Sequence, residues 1–222
     1  MSSFTDILTW QVNVREQLCA ALQAIGIQAR LSDRGCKEEE FTSGRGESSG
    51  VIDIATGPIR WVGVRGREDC GEYRGSGFHP EKSWYTEYIV PDSKIGSFPK
   101  VRLKSVEVKS FPLVGKVTDL RWEGNDFGLG IIDQLACDVS LNRRLIDDRA
   151  FFMYRGLEIG AYPEYSCWIL TTTYYWEDGS RSLMRVLGIR KRKLPAISRE
   201  LWNCLRTIAQ QLLVSSSSST IS

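Results

Sequence analysis

Two long runs of β-branched and aromatic residues constrain the fold of this chain most strongly. They span residues 165–176 and 181–189, and the link between them contains Asp178 and Gly179. β-Branched and aromatic side chains favour extended backbone, and Asp-Gly between two such runs indicates a hairpin turn. A connection this short can join antiparallel strands but not parallel ones. We therefore predict a hairpin here, within a sheet of mainly antiparallel strands.

Shorter stretches with the same residue types extend the pattern toward the amino end. The predicted strands cover residues 27–31, 51–54, 59–64, 84–90, 101–109 and 116–122. Gly57 and Pro58 separate the second and third stretches, which predicts another hairpin. The sheet should therefore contain many strands joined by short turns.

Apolar residues at helical spacing predict three helices, at the start, middle and end of the chain. The first covers residues 4–25, the second follows a cap at Asn125 or Asp126 and is imperfect near Ser140, and the third begins at Ser198. Helices of this kind cover one face of an antiparallel sheet. The predicted fold class is α+β, with N-terminal, middle and C-terminal helices packed on the sheet.

The domain organisation follows from length and local composition. The length of 222 residues suits a single α+β domain over residues 1–213, with two similar halves, 1–82 and 83–213, as the alternative. Residues 32–50 are rich in glycine, serine and charge, which predicts a mobile loop. Residues 214–222 contain five consecutive serines, and their small apolar surface predicts a disordered tail.

Histidine and cysteine usage restricts the chemistry available to the chain. His79 is the single histidine, so a site built from several histidines is excluded. Cys36 and Cys70 lie in predicted loops and could hold zinc together with His79, although the spacing lacks the usual close cysteine pairs. The remaining cysteines lie in apolar segments and are predicted to be buried: Cys19, Cys137, Cys167 and Cys204.

The overall charge argues against a polyanionic partner for the whole surface. The formal net charge is +2 and the isoelectric point is near 8.2, whereas phosphate-backbone binding depends on many clustered cations. The first ten residues lack the positive charge of a signal peptide, and no apolar run is long enough to cross a bilayer. We expect a cytoplasmic protein without a membrane partner.

A local basic cluster nevertheless offers a nucleic-acid hypothesis. Four consecutive cations follow the last predicted strand, near the aromatic side chain of Trp176: Arg190, Lys191, Arg192 and Lys193. Aromatic faces beside cations are the components of single-strand binding sites. The alternative is that these charges keep a sheet edge solvated and prevent edge-to-edge association.

One spacing of acidic residues resembles a nuclease signature. Pro91 and Asp92 are followed, after fourteen residues, by Glu107, Val108 and Lys109, and this pattern resembles the signature of the PD-(D/E)XK nuclease superfamily. The resemblance implies that Asp92 and Glu107 hold Mg²⁺ while Lys109 orients the attacking water. The alternative is a turn aspartate followed by the solvated side of a half-buried strand.

A second placement of the same superfamily uses the first helix and the strands after it. Asp53 then occupies the first acidic position, but Gly63 and Arg65 occupy the second acidic position and the lysine position. Glycine has no side chain that can bind a cation. This placement therefore implies an inactive relative of the nucleases.

The motifs of the chain favour binding over catalysis. No Gly-x-Ser-x-Gly nucleophile site in a plausible context can be assembled around the single histidine, and the sequence contains no phosphate-binding loop or dinucleotide fingerprint. We predict a non-enzymatic binding protein without a cofactor, which presents an aromatic and locally basic surface to a protein partner or to a second copy as a homodimer. The alternatives are the Mg²⁺-dependent nuclease and a nucleic-acid-binding module.

Overall fold

The computed structural model describes residues 4–42, 47–69, 81–110, 117–148, 154–176 and 197–218. Eight strands lie within these residues: β1 (Ala29–Leu31), β2 (Glu47–Ile54), β3 (Trp61–Asp69), β4 (Glu81–Pro91), β5 (Arg102–Lys109), β6 (Val117–Asn125), β7 (Tyr154–Tyr162) and β8 (Cys167–Trp176). Four α-helices accompany them: α1 (Phe4–Ala24), α2 (Ile131–Cys137), α3 (Val139–Asp147) and α4 (Arg199–Ser218).

The strands form one sheet in the order β1-β2-β3-β4-β8-β7-β5-β6. Every neighbouring pair is antiparallel, so the predicted α+β class with a mainly antiparallel sheet is confirmed. The number of described helices is four where the sequence predicted three. The sheet is continuous across the boundary considered at residue 82, because β3 and β4 pair along their length.

The neighbours of β8 differ from the predicted hairpin. β8 pairs with β4 on one side and with β7 on the other, which leaves no room for a second arm along most of its length. Residues 181–189, the predicted second arm, lie outside the described residues. β7 itself was missed because glycines interrupt its pattern. At Gly156 φ is +86° and an added Cβ would lie 2.9 Å from the Ser105 carbonyl oxygen, so this bulge requires glycine.

The two faces of the sheet are covered differently. Alternating residues of the central strands, such as Val62, Tyr88 and Leu170, are buried in the main core, as the two-residue period of a strand requires. We call this side the helix face, because α1 packs on β1 to β3, α2 and α3 on β6, and α4 on β8. The opposite side is called the outer face.

The predicted middle helix is divided into α2 and α3, and the side chains of Asp138 and Asn142 stabilise the division. Asp138 lies between the two helices. Its Oδ1 accepts a hydrogen bond from the Leu141 amide at 2.9 Å, and its Oδ2 accepts one from Gln211 Nε2 of α4 at 2.8 Å. Asn142 donates to a carbonyl at the end of α2 and accepts Trp122 Nε1 at 3.1 Å. An aspartate N-cap inside an apolar period thus converts one predicted helix into two.

The last helix is longer than the sequence predicted. It continues to Ser218, five residues beyond the end expected at residue 213, and residues 219–222 lie outside the described part. The serine hydroxyls find acceptors on the helix itself, since Ser216 and Ser217 both donate to the Leu213 carbonyl. Ser215 also donates to Gln134 Oε1 of α2 at 2.7 Å. These bonds support helical backbone in a serine-rich segment.

Part of the segment predicted as the loop 32–50 is folded against the outer face. Residues Lys37–Thr42 form a 3-10 helix, and β2 begins at Glu47. Phe41 of this 3-10 helix packs against Trp61 and Tyr165, with ring centroids 5.7 and 5.3 Å away. A small second core therefore lies under this segment, on the opposite side of the sheet from the helices.

None of the helices that the structure describes has the length and apolar character needed to cross a bilayer.

Candidate functional site

Asp92, the first acidic residue of the nuclease pattern, is engaged in structural hydrogen bonds. It lies directly after β4 with 8% of its surface exposed. Its Oδ1 accepts the Lys94 amide at 3.0 Å and caps the 3-10 helix Ser93–Ser97. Its Oδ2 accepts Trp168 Nε1 at 3.3 Å. The geometry is that of a turn aspartate that also anchors a buried indole.

Glu107 and Lys109 lie together on β5, far from Asp92. Their side chains form an ion pair of 3.3 Å. In the strand order, β8 and β7 separate β4 from β5. Three inter-strand steps of about 4.8 Å amount to roughly 14 Å, beyond the span of two carboxylates on one cation. The structure brings Glu107 and Lys109 together and does not bring Asp92 to them.

The residues of the second nuclease placement also form contacts within the sheet. Asp53 forms an ion pair with Arg30 of β1 at 3.1 Å. Arg65 lies on the outer face, where its Nε donates to Glu87 Oε2 at 2.9 Å and its NH2 group contacts Glu87 Oε1. Both side chains are almost fully buried, at 6% and 4% exposure. This bidentate ion pair joins β3 to β4 beneath the covered end of the outer face.

The residues of the zinc and nucleic-acid hypotheses are only partly described. Cys36 is partly buried just before the 3-10 helix Lys37–Thr42, whereas Cys70 and His79 lie outside the described residues. The basic cluster of residues 190–193 lies outside them as well. The backbone of Trp176 ends β8. Within the described ranges, histidine, cysteine and acidic side chains form no group of three able to hold a metal.

Three of the four cysteines predicted to be buried are buried, and the fourth is not. Cys19, Cys167 and Cys204 lie in the core, whereas Cys137 is exposed at the last position of α2. Cys137 follows the buried Leu135 by two residues, which places it about 200° around the helix from Leu135 and therefore on the side away from the core. Burial raises the pKa of Cys167 to about 12 and that of Cys204 to about 11, because the thiolate is poorly solvated there.

These raised pKa values predict that stability falls in alkaline solution. Above the ordinary thiol pKa of 9.0, the unfolded chain releases protons that the folded chain retains at Cys167 and Cys204. The free energy of unfolding should then decline by at most about 1.4 kcal/mol per pH unit for each thiol, until the folded pKa is reached. Urea denaturation at pH 8 and pH 10 measures this decline.

Alanine variants distinguish the contribution of thiol ionisation from other causes of lower stability in alkaline solution. Cys167→Ala should show a smaller loss of stability between pH 8 and pH 10 than the wild type. Cys137→Ala removes an exposed thiol and should match the wild type. A Cys167→Ala slope equal to that of the wild type contradicts the proposed origin of the decline.

In the part of the chain that the structure describes, Lys104, Arg121 and Glu158 are exposed on the outer face of β5, β6 and β7, and this surface carries charges of both signs. We call it the open face. Cross-strand register places Lys104 between Glu123 on β6 and Glu158 on β7, and the Lys104 Nζ lies 3.6 Å from Glu123 Oε2. The Arg121 guanidinium also contacts Glu123. Further side chains of the open face are Arg102 and Val106.

A single row of residues across the outer face marks where its cover ends. The row runs through Glu87, Thr171, Glu158 and Lys104 on neighbouring strands. Glu87 is 3% exposed, Thr171 is half-buried and Glu158 is exposed. The residues Lys37–Thr42 contact β2 and β3 at the buried end, and the small second core reaches β7 at Tyr162. Along this row of described residues, burial therefore ends between Thr171 and Glu158.

Strand β6 forms one edge of the sheet beside the open face. In the described part of the chain it pairs with β5 alone. The Leu120 amide donates to the side chain of Asp119 at 2.8 Å, so it points away from β5. Residues of a strand alternate in this direction, and the amide of Trp122 therefore shares the free side with Leu120. The register shift at Thr118 interrupts the alternation there.

The chain matches no protein-family model, and comparisons with curated proteins and with solved structures find no similar protein. The open face with the β6 edge was not predicted as a unit from the sequence. Its signal was the alternation of charged and apolar residues along residues 102–106 and 119–123, which indicates one solvated face.

Proposed function

We propose that this protein is a non-catalytic binding protein that contacts another protein chain through the open face and the adjoining β6 edge. The observation that carries the proposal is the uneven cover of the outer face. A 3-10 helix and a small apolar core cover parts of β2, β3, β4 and β8 and reach β7 at Tyr162. By contrast, Lys104, Arg121 and Glu158 on β5 to β7 are exposed in the part of the chain that the structure describes. An uncovered, ordered sheet surface with an adjoining free edge is suited to a docking partner.

The charge pattern of the open face supports a protein as the partner. Lys104 and Arg121 each lie beside a carboxylate, and Glu123 contacts both. A nucleic-acid backbone would meet a carboxylate beside both of these cations, which opposes binding. Protein partners, by contrast, use interspersed charges of both signs to fix orientation and exclude wrong partners.

The positions of the buried acidic residues support binding over catalysis. Glu87 is held by Arg65, Asp92 caps a turn and holds Trp168, and Asp148 accepts the Ser198 hydroxyl at the start of α4. Each carboxylate thus has a contact that the fold requires. We do not propose the nuclease, because its pattern depends on Asp92 and Glu107 sharing one cation.

Site-specific photo-crosslinking tests the proposed binding role. A photoreactive amino acid replaces Lys104 on the open face in one variant and Arg143 on α3 in the other. The two positions are closely matched in exposure, at 60% and 65%. In cells that express the protein, position 104 should give a protein adduct of one defined mass at roughly tenfold higher yield than position 143.

The outcomes of this experiment discriminate between partner classes. Mass spectrometry of the adduct identifies either this chain or another protein, and both support the proposed role. Equal yields at positions 104 and 143 contradict it. An adduct with nucleic acid at position 104 also contradicts it and would favour the nucleic-acid-binding alternative.

A further inference from the structure

We infer that the partner at the β6 edge is a second copy of this chain, whose own β6 pairs antiparallel with the first so that Leu120 faces Leu120. This inference rests on the proposed binding role and names its partner. The two eight-stranded sheets then form one continuous sheet across a two-fold axis. The axis passes beside Leu120, near the middle of the nine-residue strand Val117–Asn125.

The backbone of β6 can accept a second strand in this way. Leu120 and its alternate neighbours direct their amides and carbonyls to the free side. In a two-fold antiparallel pair, residues that face each other with outward backbone groups exchange two hydrogen bonds. Leu120 would face Leu120 of the second copy in such a pair.

The side-chain charges select this register over the two-fold registers centred on Arg121 and on Trp122. Centring the axis on Arg121 would place two Arg121 side chains opposite each other and Asp119 opposite Glu123, and directly opposed like charges are destabilising. Centring it on Leu120 places each Arg121 opposite Asp119 of the second copy. Both side chains are exposed on the same face of β6, so two complementary pairs form.

The third register, centred on Trp122, leaves one charge without a partner. It would place Arg121 opposite Glu123, which already contacts Lys104 and Arg121 of its own chain. Asp119 would then face Asn125. Asp119 forms no ion pair with any residue that the structure describes, and its carboxylate accepts the Leu120 amide instead. The Leu120-centred register is the one of the three that supplies Asp119 with a cation.

In this register, the Leu120 amide and the Asp119 carboxylate each lose their contact with one another and gain a new partner in the second copy. The Leu120 amide leaves Asp119 Oδ1 and donates to the Leu120 carbonyl of the second copy. The released Asp119 carboxylate meets Arg121 of the second copy. The same charges oppose other registers and unrelated strands, which is how edge strands restrict their partners.

Variants with reversed charges test this dimer, and sedimentation velocity measures their association. The wild type should show a concentration-dependent dimer. Asp119→Arg places arginine opposite arginine and Arg121→Asp places aspartate opposite aspartate, so each should weaken association at least tenfold. The double variant carrying both changes restores opposite charges in the same register and should recover the dimer. Arg143→Asp on α3 is the control and should dimerise like the wild type.

The results separate this inference from the proposed function. Circular dichroism checks that all variants remain folded, which is expected because both exchanged side chains are exposed. A wild type that stays monomeric at all concentrations, or a double variant that fails to recover association, overturns the dimer. If the dimer fails while position 104 crosslinks to a different protein, the proposed binding role stands with another partner. If position 104 also gives no selective adduct, both proposals fail.

Discussion

Replacing Glu87 with alanine should lower the free energy of unfolding by about 3–5 kcal/mol. The substitution removes the carboxylate whose two oxygens contact the buried Arg65 guanidinium between β3 and β4 in the wild type. A buried charge that loses its counter-ion retains its desolvation cost and loses the attraction that offset it. Urea denaturation followed by circular dichroism measures the change.

Two further variants test this explanation of the Glu87 effect. Glu164→Ala breaks an exposed ion pair with Lys100, of 2.9 Å, and should cost less than about 1 kcal/mol. The double variant Arg65→Met with Glu87→Leu removes both charges and should be more stable than Glu87→Ala. The account is wrong if Glu87→Ala costs no more than Glu164→Ala.

Replacing Trp202 with alanine should cost about 3–5 kcal/mol. Trp202 lies on α4 with 2% of its surface exposed, and its ring meets the Tyr88 ring of β4 edge-on at a centroid distance of 6.3 Å. The substitution removes this contact and leaves a cavity between the helix and the sheet, which neighbouring side chains fill only in part. Thermal and urea unfolding should both report the loss.

The matched control for Trp202 lies on the same helix. Gln210 is exposed on α4, so Gln210→Ala should change stability by less than about 0.5 kcal/mol. Similar losses for Trp202→Ala and Gln210→Ala would contradict the packing of α4 on the helix face.

The elements with a clear local period could be predicted from the sequence. α1 and α4 carry apolar residues at helical spacing, and β4 and β5 alternate or contain β-branched runs, so their positions follow from short-range patterns. β7 could not be predicted in this way, because Gly156 and Gly160 interrupt its alternation and its bulge depends on close contact with Ser105 of another strand.

Local sequence patterns could not predict the order of the strands, because that order depends on contacts between residues far apart in the chain. The Asp-Gly link predicted a partner for β8 that follows it in sequence, whereas β4 and β7 occupy its two sides. The nuclease hypothesis also required the strand order, which the sequence did not provide. Asp92 and Glu107 have suitable residue types and spacing, but two strands lie between β4 and β5.

The candidate surface was predictable in its parts and not as a unit. The alternating charges of β5 and β6 indicated a solvated face, but its extent depends on where the residues Lys37–Thr42 pack. Those residues contain three consecutive glutamates, Glu38 to Glu40, and a charged segment of this kind predicts a loop. Phe41 supplies the apolar contact that holds the segment on the outer face.

Hydrogen–deuterium exchange of β6 tests most directly the claim that this chain acts through the open face and its edge strand. We predict that the amides of Leu120 and Trp122 exchange more slowly as the protein concentration rises through the dimerisation range, since an added strand protects outward amides. The exposed side of α3 should exchange at the same rate throughout. Slower exchange confined to another part of the molecule, with β6 unchanged, would contradict the claim.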